Sequence, residues 1–166
     1  MMHTQLAEDR SEHPLDVVER LAAINAWSFE REAEDEIAVT AAGGWSDYNI
    51  AFTWLPEMET LHIGCAFDLR PPPRRRAEVL ELIASANEQL WVGHFDLWSS
   101  EGVVMYRHGI LLAGGALPTS AQCEAALSNA LAACERYYQA FQFVVWAGKS
   151  AREAIEASML ETLGEA

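Results

Sequence analysis

The sequence predicts an α+β domain: one largely antiparallel sheet of about six strands with helices on one face, in the order α-β-β-β-β-α-β-β-α. Three observations predict it. Apolar residues alternate with period two from Trp27 to Phe67 and form two further strand-like runs, Phe95–Trp98 and Val103–Leu112. Before, between and after these runs the apolar spacing becomes helical. Gly, Pro and acidic clusters punctuate the strands at turn positions. A chain of 166 residues, 51% of them hydrophobic, suits a single compact core.

Taken in order, Pro14 suits a first helical turn, and Val17, Val18, Leu21, Ala22 and Ile24 continue at helical spacing to about Asn25. Trp27 and Phe29, the acidic turn Glu34–Glu36, and Ile37 and Val39 read as a hairpin. Tyr48, Ile50, Phe52 and Trp54 put every bulky residue on one face of the third strand. After a turn at Pro56–Glu59, Leu61, Ile63, Cys65 and Phe67 form the fourth. Pro71-Pro72-Pro73 ends it, and a second helix spans roughly Arg74–Leu90. The last two strands flank the hairpin connection Ser99–Gly102. Thr119 and Gln122 have capping-box spacing and open a long helix that runs to about Trp146, and Ser150–Leu163 is a further polar helical segment. The expected organisation is a flexible acidic N-terminus over 1–13, a single domain over 14–147 and a C-terminal helical tail over 148–166.

Charge excludes some classes of partner. Against 25 Asp and Glu there are 11 Lys and Arg, a formal charge of −14, which repels nucleic acid and anionic membrane surfaces. The first 70 residues hold 14 acids and 4 bases and form the acidic surface. Cys65, Cys123 and Cys134 show no CxxC spacing, and the last two sit about 16 Å apart along one helix, which argues against a disulfide framework. With a polar N-terminus and no bilayer-length apolar run, the expected location is cytoplasmic.

No nucleophile elbow, P-loop or dinucleotide fingerprint occurs, so no enzyme, cofactor or metal is expected. His94 and Asp96 share a strand face but lack the further ligands of a zinc site and read as surface polar residues. Glu30, Glu32, Glu34, Asp35 and Glu36 lack the spacing of a calcium loop and read as a solvated hairpin tip. Asp47, between Trp45 and Tyr48, suits a phosphoacceptor only in a parallel receiver-type sheet, and this chain reads antiparallel. Arg74, Arg75 and Arg76 open a helix, where the macrodipole disfavours cations. With His94 they are the candidate anion-binding residues.

The segment Ala86-Asn87-Glu88-Gln89-Leu90-Trp91-Val92-Gly93-His94-Phe95-Asp96-Leu97, continued by Glu101-Gly102-Val103-Val104-Met105-Tyr106-Arg107, resembles the YbjN family over roughly 14–147. That resemblance implies an α+β domain similar to type III secretion chaperones, in a family labelled sensory transduction regulators, with no enzymatic chemistry to carry over. It also implies a small acidic dimer.

Apolar surface exceeds what one face can hold. In the long helix Cys123, Leu127, Leu131, Cys134, Tyr138, Phe141 and Val145 form a stripe, while Tyr137, Phe143, Val144 and Trp146 point elsewhere. The sixth strand is apolar on both faces. The expected function is therefore a non-enzymatic protein-binding module, chaperone-like or regulatory, forming a homodimer and binding a protein client, with Trp54, Tyr137, Phe143 and Trp146 as contacts. The alternative is a sensor of a small anionic ligand.

Overall fold

The computed structural model describes residues 10–165, with side chains described through residue 160. Most of the expected N-terminal segment lies outside the described residues.

Helix α1 (Pro14–Ile24) starts where the spacing predicts, with His13 as N-cap: its Nδ1 accepts from Leu15 N at 3.1 Å. The other ring nitrogen, Nε2, lies 2.8 Å from Asp35 Oδ1, tying the helix to the following hairpin. Strands β1 (Ser28–Ala33), β2 (Glu36–Ala42), β3 (Asp47–Leu55) and β4 (Thr60–Ala66) form the meander. Helix α2 (Arg76–Glu88) leads into β5 (His94–Trp98) and β6 (Val103–Leu111). Helices α3 (Ser120–Val145) and α4 (Ala151–Glu165) close the chain. The six strands are ordered β1-β2-β3-β4-β6-β5, every pair antiparallel.

Register fixes one face as the core. Val39, Ile50, Cys65, Tyr106 and Phe95 stand opposite one another across five strands, and all are buried. Ile37, Phe52 and Ile63 form the adjacent buried row. The helices cover this face. Phe67, Phe95 and Phe141 meet there with ring centroids 5.4–5.7 Å apart, and Tyr138 lies edge-on to Phe67 at 5.1 Å. Full burial of each such ring contributes about 1.5–3 kcal/mol. Cys65, Cys123 and Cys134 are free and buried.

Two differences from expectation have physical causes. Pro73–Arg75 form a 3-10 turn, so regular α2 starts at Arg76. Tyr137 and Val144 lie off the expected apolar stripe, yet both are buried. Helix α3 is covered on more than one side: Tyr137 meets Phe95 edge-on at 5.7 Å, and α4 packs against both α3 and α2 through Ala151 and Ala154.

The segment that carries the family resemblance is a structural lock. Asn87 Nδ2 donates to Phe95 O at 3.1 Å, and its Oδ1 accepts from Phe95 N at 2.8 Å, so one amide pairs the outward backbone groups of an edge strand. Tyr106 Oη donates to Val92 O at 2.9 Å. Gly93 has φ +74°, and a Cβ there would lie 2.2 Å from Tyr106 Oη, so only glycine fits.

Candidate functional site

The expected anion residues are not gathered in one place. Arg75 donates from Nε to Val144 O at 2.9 Å, at the C-terminal end of α3, and from Nη2 to Lys149 O in the connection to α4. A cation at the start of one helix thus serves the end of another, which accounts for its otherwise unfavourable position. Arg76 Nη2 reaches Ser99 Oγ at 3.5 Å, and Arg74 is exposed. His94 stands at the far end of β5, about 13 Å from the Trp98 end at 3.3 Å per residue.

Of the expected contact aromatics, Trp54 and Tyr137 are each only 6% exposed. Trp54 lies under the Arg10 guanidinium, 4.7 Å from the ring centroid. Phe143 is partly buried, with Lys149 Nζ over its ring at 5.9 Å. Trp146 is 65% exposed. Among the described residues the most open large apolar side chain is one the contact set omitted, Trp91, at 97%.

Trp91 and Val92 belong to the loop between α2 and β5 and overhang the solvent side of α3. There a groove of about 260 Å³ is lined by Leu90, Trp91, Val92, Asn129, Ala132 and Arg136, among others. A second, of about 340 Å³, continues from Val92 and Asn129 past Ala125 and Gln122 to Ile110. Small residues on α3 open this channel: Ala125, Ala132 and Asn129 are exposed where larger side chains would fill it. The Gly93 geometry that locks β5 also sets the direction in which the preceding Trp91-Val92 leaves the core.

The open face of the sheet carries a different chemistry. One cross-strand row reads Ala38, Ala51, Gly64, Arg107, His94, so three small residues lie beside two basic ones. Arg107 Nε donates to His62 Nε2 at 3.2 Å, Nη1 lies 3.4 Å from Asp96 Oδ2, and the guanidinium sits 5.6 Å from the Trp98 ring centroid. His62, Gly93, His94, Arg107, His108 and Gly109 bound a shallow pocket of about 210 Å³. Burial lowers the His62 pKa, helped by Arg107, His94 and His108, and burial with His94 lowers that of His108. Asp96 pairs with Arg107, so His94 and Asp96 do not form the acid-base couple their spacing allows. Among the described residues no cluster of three or more His, Cys, Asp or Glu is placed to hold a metal ion, and no helix is long and apolar enough to cross a membrane.

Arg31 Nη1 bonds Asp16 Oδ1 at 3.2 Å and Glu19 Oε2 at 3.1 Å, joining β1 to α1.

Comparison with known proteins gives a family and a fold. The YbjN family profile, described as "Putative bacterial sensory transduction regulator", matches residues 14–143. The crystal structure of YbjN from E. coli, described there as a putative transcription regulator, is similar at TM-score 0.53 and 10% identity, over 75% of this chain and 90% of that one. A chain from the crystal structure of the ExsC–ExsE complex is similar at TM-score 0.49 and 22% identity, over 72% and 90% respectively. No curated protein sequence matches significantly.

Proposed function

This chain belongs to the YbjN family, and from that premise we propose that it is a non-enzymatic protein-binding module with a regulatory or chaperone-like role, engaging its partner at the groove beside Trp91. The observation that carries the reading is the 97% exposure of Trp91 at the rim of a groove that small α3 residues leave open. Withdrawing about 200 Å² of that side chain from water is worth roughly 5 kcal/mol before the costs of association. A well-packed chain that leaves a tryptophan almost wholly in water, next to a matching concavity, has the form of half an interface.

Two features support a role without catalysis. Burial pushes the Cys123 thiol up to about 11, and a hydrogen bond with Cys65 together with burial raises that of Cys134, so neither offers a ready thiolate. Asp96 is engaged by Arg107 rather than orienting a histidine. The homodimer expected from excess apolar surface belongs to the same proposal, with a second copy as one candidate partner.

A photo-crosslinking residue at position 91, installed in the native cell, tests the reading, with the same residue at exposed Asp47 as control. We expect a discrete protein adduct from position 91 and none from position 47; a second copy or a different protein is identified by its mass. Equal, diffuse labelling from both positions overturns the proposal.

A further inference from the structure

We propose that the open-face cluster of His62, His94 and Arg107 is a binding site for a small oxyanion of the phosphate class. The site is independent of the Trp91 groove, and its residues come from three strands, β4, β5 and β6.

Three physical features converge there. First, the depression exists because glycine occupies its floor and rim. Gly64 lies beside Arg107 in register, Gly109 beside His62, and Gly93 precedes His94. A Cβ on Gly64 would come within 3.3 Å of the His62 ring, so the imidazole leans across a backbone that has no side chain to oppose it. The resulting pocket, about 210 Å³, is the right scale for a tetrahedral oxyanion and its immediate substituent.

Second, the charge at the site is opposite to that of the chain. Arg107 and two imidazoles, His62 on β4 and His94 on β5, share the open face with one carboxylate, Asp96 on β5, while His108, one residue along β6 from Arg107, points to the helix side. The contact of that carboxylate with Arg107 is long, 3.4 Å, and engages Nη1 alone. In a chain of net charge −14 whose acids concentrate in the first 70 residues, this is a local cationic patch. Screening over about 8–10 Å keeps the distant acids from cancelling it.

Third, the donors are already arranged. Because Arg107 Nε donates to His62 Nε2, that imidazole is neutral, with its proton on Nδ1, and the bond orients the guanidinium against the Trp98 ring. An oxyanion that accepts from Arg107 and His94 supplies the negative charge the cluster lacks, and opposes the neighbouring positive charges that help depress His62. Binding therefore raises the His62 pKa, and by linkage affinity tightens as pH falls through the imidazole range.

Histidine Cε1–H resonances followed during titration with inorganic phosphate, near the ordinary imidazole pKa of about 6.5, test this. We expect saturable shifts of His62 and His94 that leave His13 unmoved, about tenfold weaker binding in Arg107→Gln, and several-fold weaker binding in His94→Ala, whose side chain is exposed and not needed for folding. The double variant Arg74→Gln, Arg76→Gln should bind like the parent. Phenyl phosphate run in parallel separates sources: tighter binding than phosphate assigns the site to a phosphorylated small molecule, equal binding to the free ion. Linear, non-saturating shifts, or unchanged affinity in both Arg107→Gln and His94→Ala, overturn the proposal.

Discussion

Asn87 closes the outward side of β5 with a single amide, and removing it leaves a backbone donor and acceptor unpaired. Asn87→Ala should cost about 1–3 kcal/mol, read as a lower denaturant midpoint. Gly93 and Gly102 both have positive φ, yet only Gly93 has a side chain against the position its Cβ would take. Gly102→Ala should cost roughly 1–2 kcal/mol of left-handed strain, and Gly93→Ala distinctly more. His62 and His108 titrate below the ordinary imidazole value in the folded chain. Between the folded and unfolded pKa values the unfolded chain binds more protons, so these groups make stability fall as pH drops below about 6.5. A His62→Gln, His108→Gln variant should lose part of the pH dependence of its thermal midpoint between about pH 7.5 and 5.5; an unchanged slope would contradict this assignment. The capping box at Thr119 was legible in the sequence because it is local, and both of its bonds form. The Asn87 bonds were not, since a helix residue and a strand residue meet only after the intervening loop has folded.

Element by element, periodicity located every strand and helix to within a few residues, because each buries a face whose spacing is written in the chain. It could not show how the ends of elements meet. Arg75, read as a cation misplaced at a helix start, donates to the end of α3, and Glu78 on α2 accepts from Ala151 N at 3.0 Å at the start of α4. The helical tail is thereby fastened at both sides of its connection. Glu78→Ala should weaken α4 docking by about 1 kcal/mol, as loss of an N-terminal cap does. Amide exchange should accelerate in α4 while β3 and β4 stay protected; uniform acceleration across the sheet would argue against a local fastening.

At the scale of the molecule, the sheet separates two surfaces of different character: helices, Trp91 and its groove on one side, and a row of small residues ending in a cationic cluster on the other. The sequence showed that apolar surface exceeded one face, and it named Trp146, which is exposed. It also named Trp54 and Tyr137, which the core absorbs, because hydrophobic identity alone does not distinguish a buried aromatic from an exposed one. Trp91 lies outside any periodic element, where patterning carries no signal of exposure. Residues 62, 94 and 107 become neighbours only through strand register, which alternation by itself leaves open. The central claim is that the Trp91 surface is an interface, and fluorotryptophan labelling tests it most directly. The chain contains six tryptophans, and a Trp91→Phe variant assigns the relevant fluorine resonance. In concentrated extract of the native cell, the Trp91 signal should shift or broaden while that of buried Trp54 keeps its position; a Trp91 signal as sharp and as solvent-sensitive in extract as in buffer would contradict the claim.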